Sequence, residues 1–198
     1  GEYQWDGVAS RYTAENPLQL FEAPEKSDDI DTIVRKVVRQ FKHFIEEQGG
    51  WELLWNEGPT PKPKQERAAQ LLFKGIVQYY CAANDVALDR EVELGRGPVD
   101  FVFTKTRFER VLLEVKKMDN GKFWHGLEVQ LVSYLTSDQC GRGWFLAVRF
   151  KDTKTERDRT SLLPRRTREA AQSTGFDLHS DWIDARRPAS ASKIVPRQ

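Results

Sequence analysis

Residues 99–104 and 109–116 are both of strand length and rich in β-branched and apolar side chains, with Lys105-Thr106-Arg107 as a compact linker between them. A β-hairpin is the natural reading of that pattern. Residues 88–94 (Leu-Asp-Arg-Glu-Val-Glu-Leu) supply another strand in front, so the middle of the chain reads as a three-strand meander. A sheet of this kind has to be covered, and the flanking segments carry the periods that would cover it.

From Asp28 onward, Ile30, Ile33, Val34, Val37, Val38, Phe41, Phe44 and Ile45 recur at helical spacing. Ser27 or Asp28 can cap that helix and Gly49-Gly50 ends it. Trp51, Leu53, Leu54 and Trp55 form a short aromatic segment before a turn at Gly58-Pro59. A second helix is expected from about Pro63 to Asn84, with Ala68, Ala69, Leu71, Leu72, Ile76, Val77 and Tyr80 as its apolar positions. Asp119-Asn120-Gly121 signals a turn, and a third helix over 126–137 sets Leu127, Leu131 and Leu135 on one stripe. Residues 144–150 read as a strand, 156–173 as a helix that Pro164 must interrupt or restart, and 176–183 as a last strand.

The fold class expected is therefore α/β, a mixed sheet flanked by helices on both faces. At 198 residues the chain is the size of one generous domain. Residues 1–26, with Pro17 and Pro24, read as an irregular lead-in or linker. Residues 27–60 read as an N-terminal helical segment, 61–187 as the core and 188–198 as a polar tail.

Composition enters mainly by exclusion. The formal net charge of +1 gives no vote for a nucleic-acid partner. Residues 151–170 do concentrate Lys151, Lys154, Arg157, Arg159, Arg165, Arg166 and Arg168, as either a solvated helix face or a phosphate-tracking surface. Cys81 and Cys140 stand far apart and read as reduced, buried thiols; with only His43, His125 and His179 beside them, a structural zinc site is not supported. No run approaches the ~18 apolar residues of a membrane span, and there is no signal peptide, so a cytoplasmic location without a membrane partner is expected. The opening Gly1 is read as an artificial boundary or an internal cut, which leaves a larger parent protein open.

The chemistry is carried by the hairpin. Side chains alternate along a strand, so Glu114 and Lys116 share one face while Leu113 and Val115 point into the core. If the hairpin folds about residue 107, Asp100 falls across from Glu114. Two carboxylates at that distance repel, and one is pushed towards protonation unless a cation binds. Mg²⁺ suits such a site because it uses one or two protein carboxylates and keeps waters and phosphate in its shell. Lys116 would orient the attacking water or stabilise developing negative charge. Gly95 and Gly97 before the acid let the backbone turn and leave room for a close approach.

Asp100 with Glu114-Val115-Lys116 resembles the defining motif of the PD-(D/E)xK nuclease superfamily, and Gln130-Leu131-Val132-Ser133-Tyr134 resembles the Gln-x-x-x-Tyr element of its RecB-type branch. Val99 stands where the name-giving proline would precede the acid. The resemblance covers roughly residues 60–150 and implies a restriction-endonuclease-like fold. It also implies a Mg²⁺-dependent deoxyribonuclease, with Mn²⁺ able to substitute and RNA not excluded as a substrate. Asp100, Glu114 and Glu66 would hold metal, Lys116 would assist the water, and Gln130 would support the site. Tyr134, Lys117, Lys122 and His125 would contact substrate, His125 serving equally well as a helix cap. Trp51, Trp55 and Trp124 are read as core residues rather than stacking platforms. The expected setting is the nuclease module of a larger bacterial restriction, repair or antiphage-defence system, with other domains or subunits as partners and a homo-oligomer left open. The alternatives are a catalytically silent nucleic-acid-binding or assembly module of the same fold and a plain α/β interaction domain.

Overall fold

The computed structural model describes residues 28–94 and 97–188. The lead-in at 1–26, Ser27, Gly95 and the tail beyond Pro188 lie outside the described residues. Five strands form one mixed sheet in sequential order: β1 (Ala87–Glu93), β2 (Pro98–Thr106), β3 (Glu109–Lys117), β4 (Arg142–Arg149) and β5 (Asp177–Asp184). The first three are antiparallel neighbours, and β3, β4 and β5 run parallel. The meander and the α/β class expected from the sequence are both present.

Helix α1 (Ile30–Glu47) and helix α2 (Glu66–Ala83) cover one face. The stripe Ile30, Ile33, Val34, Val37, Val38, Phe41 and Ile45 is buried as its spacing predicts. It joins Phe73 and Val77 of α2 and Phe101, Phe103, Leu113 and Val115 of the sheet in a single core. Phe73 lies 5.1 Å from Phe41 and 5.0 Å from Phe101 by ring centroids. Helix α1 is therefore one layer of the same core as α2 and the sheet. The cap of α1 is neither of the residues expected: Asp29 accepts the Thr32 N–H at 2.7 Å, while Asp28 pairs with Lys36.

The opposite face is covered by α3 and α4. Helical residues 123–137, labelled α3, comprise Phe123–His125, a π-helical stretch Gly126–Leu131 and a final α-helical piece Val132–Ser137. The helix thus starts three residues before the expected boundary, which places His125 inside the helical run instead of at its cap. Helix α4 (Lys154–Thr174) passes through Pro164 without interruption. Proline removes one backbone donor, but Pro164 is exposed, and buried Leu163, Thr167 and Ala170 hold the flanking turns on the sheet. Its start is fixed by Thr153 and Glu156: the Thr153 hydroxyl accepts the Glu156 N–H, and Gly175 closes the other end at φ 75°.

The meander breaks its regularity where the chemistry was expected. The β2–β3 ladder stops at Phe101↔Leu113, one pair short of Asp100 and Glu114. On the other side the β1–β2 ladder pairs Arg90↔Phe101 and Val92↔Val99 and skips Asp100, with Glu91 at φ 54°. Asp100 is thus freed from both neighbours.

Candidate functional site

With the ladder open at Asp100, its carboxylate replaces a strand pairing: Oδ2 accepts the Val115 backbone N–H at 2.7 Å. Direct pairing with Glu114 is replaced by this bond, although the register brings both acids to the same end of the sheet. Gln70 reaches down from α2 and donates Nε2 to Asp100 Oδ1 at 2.7 Å. One turn earlier on α2, Glu66 lies over the end of β3. Its Oε2 accepts the Lys117 backbone N–H at 2.8 Å, and its Oε1 stands 3.4 Å from Lys116 Nζ.

Lys116 Nζ donates to Glu114 Oε1 at 2.6 Å. Glu114 is only 1% exposed, and its Oε2 is buried with no hydrogen-bond partner. Burying a carboxylate oxygen without a donor is costly; Asp31, Asp138 and Glu156 each leave one so too, but only at Glu114 do two further carboxylates converge on the same lysine. Burial pushes the Glu114 carboxyl up to about 8, with the nearby Asp100 charge adding to the effect. Burial also pushes Asp100 up to about 6, against the opposing bond from Val115 and the charge of Lys116. At Lys116 burial works against the charged form, but the carboxylates of Glu114, Glu66 and Asp100 outweigh it and hold the ammonium above its usual range.

Glu66, Asp100, Glu114 and Lys116 are therefore brought together as the sequence suggested, three acids around one base. Gln130 and Tyr134 do share a face of α3, since Gln130 Nε2 donates to the Tyr134 hydroxyl at 2.7 Å. Tyr134 is buried beside this cluster: burial raises its phenol, and the charges of Glu114, Lys116 and Asp100 all act on it. Gly97, at φ 105°, comes close enough that a Cβ there would meet the Tyr134 hydroxyl at 3.6 Å.

The remaining expected contacts are not drawn in. Lys117 points away from Lys116; its ammonium lies 5.2 Å over the Phe150 ring and 3.5 Å from Asp119. Lys122, just before α3, and His125, in its first turn, are both exposed. In the basic run, Arg166 pairs with Glu128, Arg165 with Glu169 and Arg157 with Asp152, and Arg159 donates to the Met118 and Asn120 carbonyls. Most of that charge is spent within the protein, while Lys154 and Arg168 stay on the solvated face.

Three further positions shape the cluster beyond the residues expected there. Gln70 holds Asp100, Asn120 Nδ2 approaches Glu66 Oε2 at 3.4 Å, and Gly126 makes room for Lys116. A Cβ on Gly126 would stand 3.0 Å from Lys116 Cε and 3.1 Å from its Cγ. Gln70 carried a usable signal, four residues from Glu66 on one helix face. Gly126 carried none without the sheet register.

A divalent cation can be tried against this donor set. Among the described residues no three His, Cys, Asp or Glu side chains form a group able to hold a metal ion by themselves. An ion here would rest on one or two carboxylates with water completing its shell, which is the habit of Mg²⁺. The unpartnered Glu114 Oε2 and the excess of acids over bases fit that donor set.

Residues 30–152, well over half of the chain, match the family described as "Domain of unknown function (DUF8371)". The chain belongs to that family. No curated protein and no solved structure matches it.

Proposed function

We propose that this member of the family is a metal-dependent nuclease that hydrolyses phosphodiester bonds of DNA, on a restriction-endonuclease-like version of the α/β fold. One observation carries the reading: the carboxylates of Glu66, Asp100 and Glu114 converge on Lys116, with the Asp100 and Glu114 carboxyls raised and one Glu114 oxygen left without a donor. A protein bears that cost where a bound cation and a reacting phosphate relieve it.

In this reading Asp100 and Glu114 are the metal ligands, with Glu66 reaching the ion directly or through water. Bound Mg²⁺ supplies a water of lowered pKa and offsets charge gathering on the phosphate. The chain's own groups do the rest. Gln70 and the Val115 N–H fix the Asp100 carboxylate. Lys116 keeps its proton and donates to the attacking water or to the phosphoryl oxygens as charge grows there. Gln130 and Tyr134 border the cluster on the α3 side, where a substrate backbone would pass. The proposed setting is cytoplasmic, as the nuclease module of a larger bacterial restriction, repair or defence system. Among the described residues no helix is long and apolar enough to cross a membrane.

The test is incubation of supercoiled and linear DNA with Mg²⁺, Mn²⁺ or EDTA. Cleavage that needs the metal and disappears in Asp100→Ala and Lys116→Ala supports the reading. Full activity in both variants overturns it, and binding without cutting leaves a catalytically silent module of the same fold.

A further inference from the structure

At the ends of β4 and β5 lies a cleft of about 880 Å³. Its walls include Trp51, Trp55, Phe150 and Trp182, with Lys151 and Arg187 at the rim. The cleft and the cluster share one edge of the sheet, where β3, β4 and β5 all end, and ligands of α/β sheets gather at such edges. Lys117 joins them: its N–H is held by Glu66 of the cluster and its ammonium covers Phe150 of the cleft.

The aromatic walls are not equivalent. Trp182 is covered by Lys42, 4.7 Å from its ring, and Arg149 lies 5.9 Å away. Trp55 is fixed by its indole N–H donating to the Ala185 carbonyl at 2.8 Å, and it meets Phe150 edge-on at 5.8 Å. Trp51 packs one part against the core and carries no cation or ring over it among the described residues. Most charges on the walls are matched internally: Lys42 with Glu46, Arg186 with Asp184 and Asp152. Lys151, Arg187 and the acid Glu47 are exposed and form no side-chain ion pair among the described residues, while the Lys151 N–H donates to Glu156 Oε2 at 2.6 Å.

From this placement we infer that the cleft takes an unpaired nucleobase of the strand being cut, stacked on Trp51 and Trp55, with its flanking phosphates on Lys151 and Arg187. The substrate class is then single-stranded DNA, or DNA with a single-stranded flank next to the scissile bond. The inference rests on the nuclease reading for its occupant. A base inside a duplex cannot enter such a cleft without leaving its stack, whereas stacking on an aromatic wall accepts any free base.

The experiment measures binding in EDTA, where no chemistry occurs. A labelled oligothymidylate of about 12 nucleotides, within the usual span of such sites, and a blunt duplex of equal length are titrated by fluorescence anisotropy. The expected result is tighter binding of the single strand and a loss of about fivefold or more for it in Trp51→Ala, with duplex binding unchanged. Lys151→Glu with Arg187→Glu, both at exposed positions, should weaken single-strand binding and flatten its salt dependence. If Trp51→Ala melts early by circular dichroism, that rim pair decides the question. Equal or tighter duplex binding, or single-strand affinity indifferent to the folded variants, overturns the inference. Metal-dependent cleavage with no such preference overturns the cleft alone; the preference without cleavage keeps the cleft and overturns the nuclease.

Discussion

Raising the pH in the absence of divalent ions should destabilise this protein, and Glu114→Gln should remove most of the loss. A carboxyl whose pKa is higher folded than unfolded keeps its proton longer in the native state. The native state then binds more protons between the two values, and stability falls as pH rises through that window. For Glu114 the window runs from the ordinary 4.5 to about 8. At about 1.4 kcal/mol per pH unit for one proton, the ceiling is about 5 kcal/mol. Asp100 shares the proton uptake, so the fall is spread over the pair rather than belonging to one residue. A drop of about 2–4 kcal/mol between pH 5 and pH 9 is the expected size. The assay is urea unfolding at several pH values in EDTA, with midpoints and slopes compared. Glutamine keeps the shape and an oxygen for Lys116 but cannot ionise, so its profile should be shallower, keeping only the Asp100 share below about pH 6, and its stability higher than wild type at pH 9. Parallel profiles for the two proteins, or stability rising with pH through this window, would refute the assignment of the buried charge.

Three further perturbations act on particular contacts. Gly126→Ala places a methyl 3.0 Å from Lys116 Cε and 3.2 Å from Phe145 Cε2, so it should cost about 1–3 kcal/mol and lower cleavage more than stability predicts; equal cleavage rates at matched folding would contradict it. Gln70→Leu removes the Asp100 Oδ1 donor, so the Asp100 carboxyl should titrate higher still, read by carbon NMR of the labelled side chain. Thr153→Ala deletes the cap on the Glu156 N–H and should cost about 1 kcal/mol in urea unfolding without altering DNA cleavage.

Much of the architecture was legible because it depends on period alone. The stripe from Ile30 to Ile45 and the paired runs around Lys105–Arg107 gave helix, hairpin and face correctly, since burial enforces those spacings. Boundaries were less legible where a side chain competes for the backbone. Asp29 took the cap because Thr32 stood three residues on, and Thr153 began α4 before the apolar pattern did. Pro164 was read as a break because local rules ignore the sheet contacts that hold its neighbours. At the site, Asp100, Glu114 and Lys116 were visible through strand alternation, but the open ladder at Asp100 was not. That opening depends on Glu91 and on the Val115 N–H across the sheet, neither of which marks itself in the sequence. The tryptophans read as core do pack against it; Trp51 and Trp55 also line a cleft, which only the meeting of α1 with the strand ends creates.

All of the proposed chemistry depends on Asp100, Glu114 and Lys116 surrounding a place for a hard divalent ion. Mn²⁺ titration followed by electron paramagnetic resonance measures this directly, without DNA and without turnover. The expected result is saturable binding that Mg²⁺ competes away, that strengthens as pH rises from 6 to 8.5 while the carboxyls ionise, and that is lost in Asp100→Asn and Glu114→Gln. Saturable binding unchanged in both variants, or none at millimolar Mn²⁺ in a folded protein at pH 8.5, would contradict it.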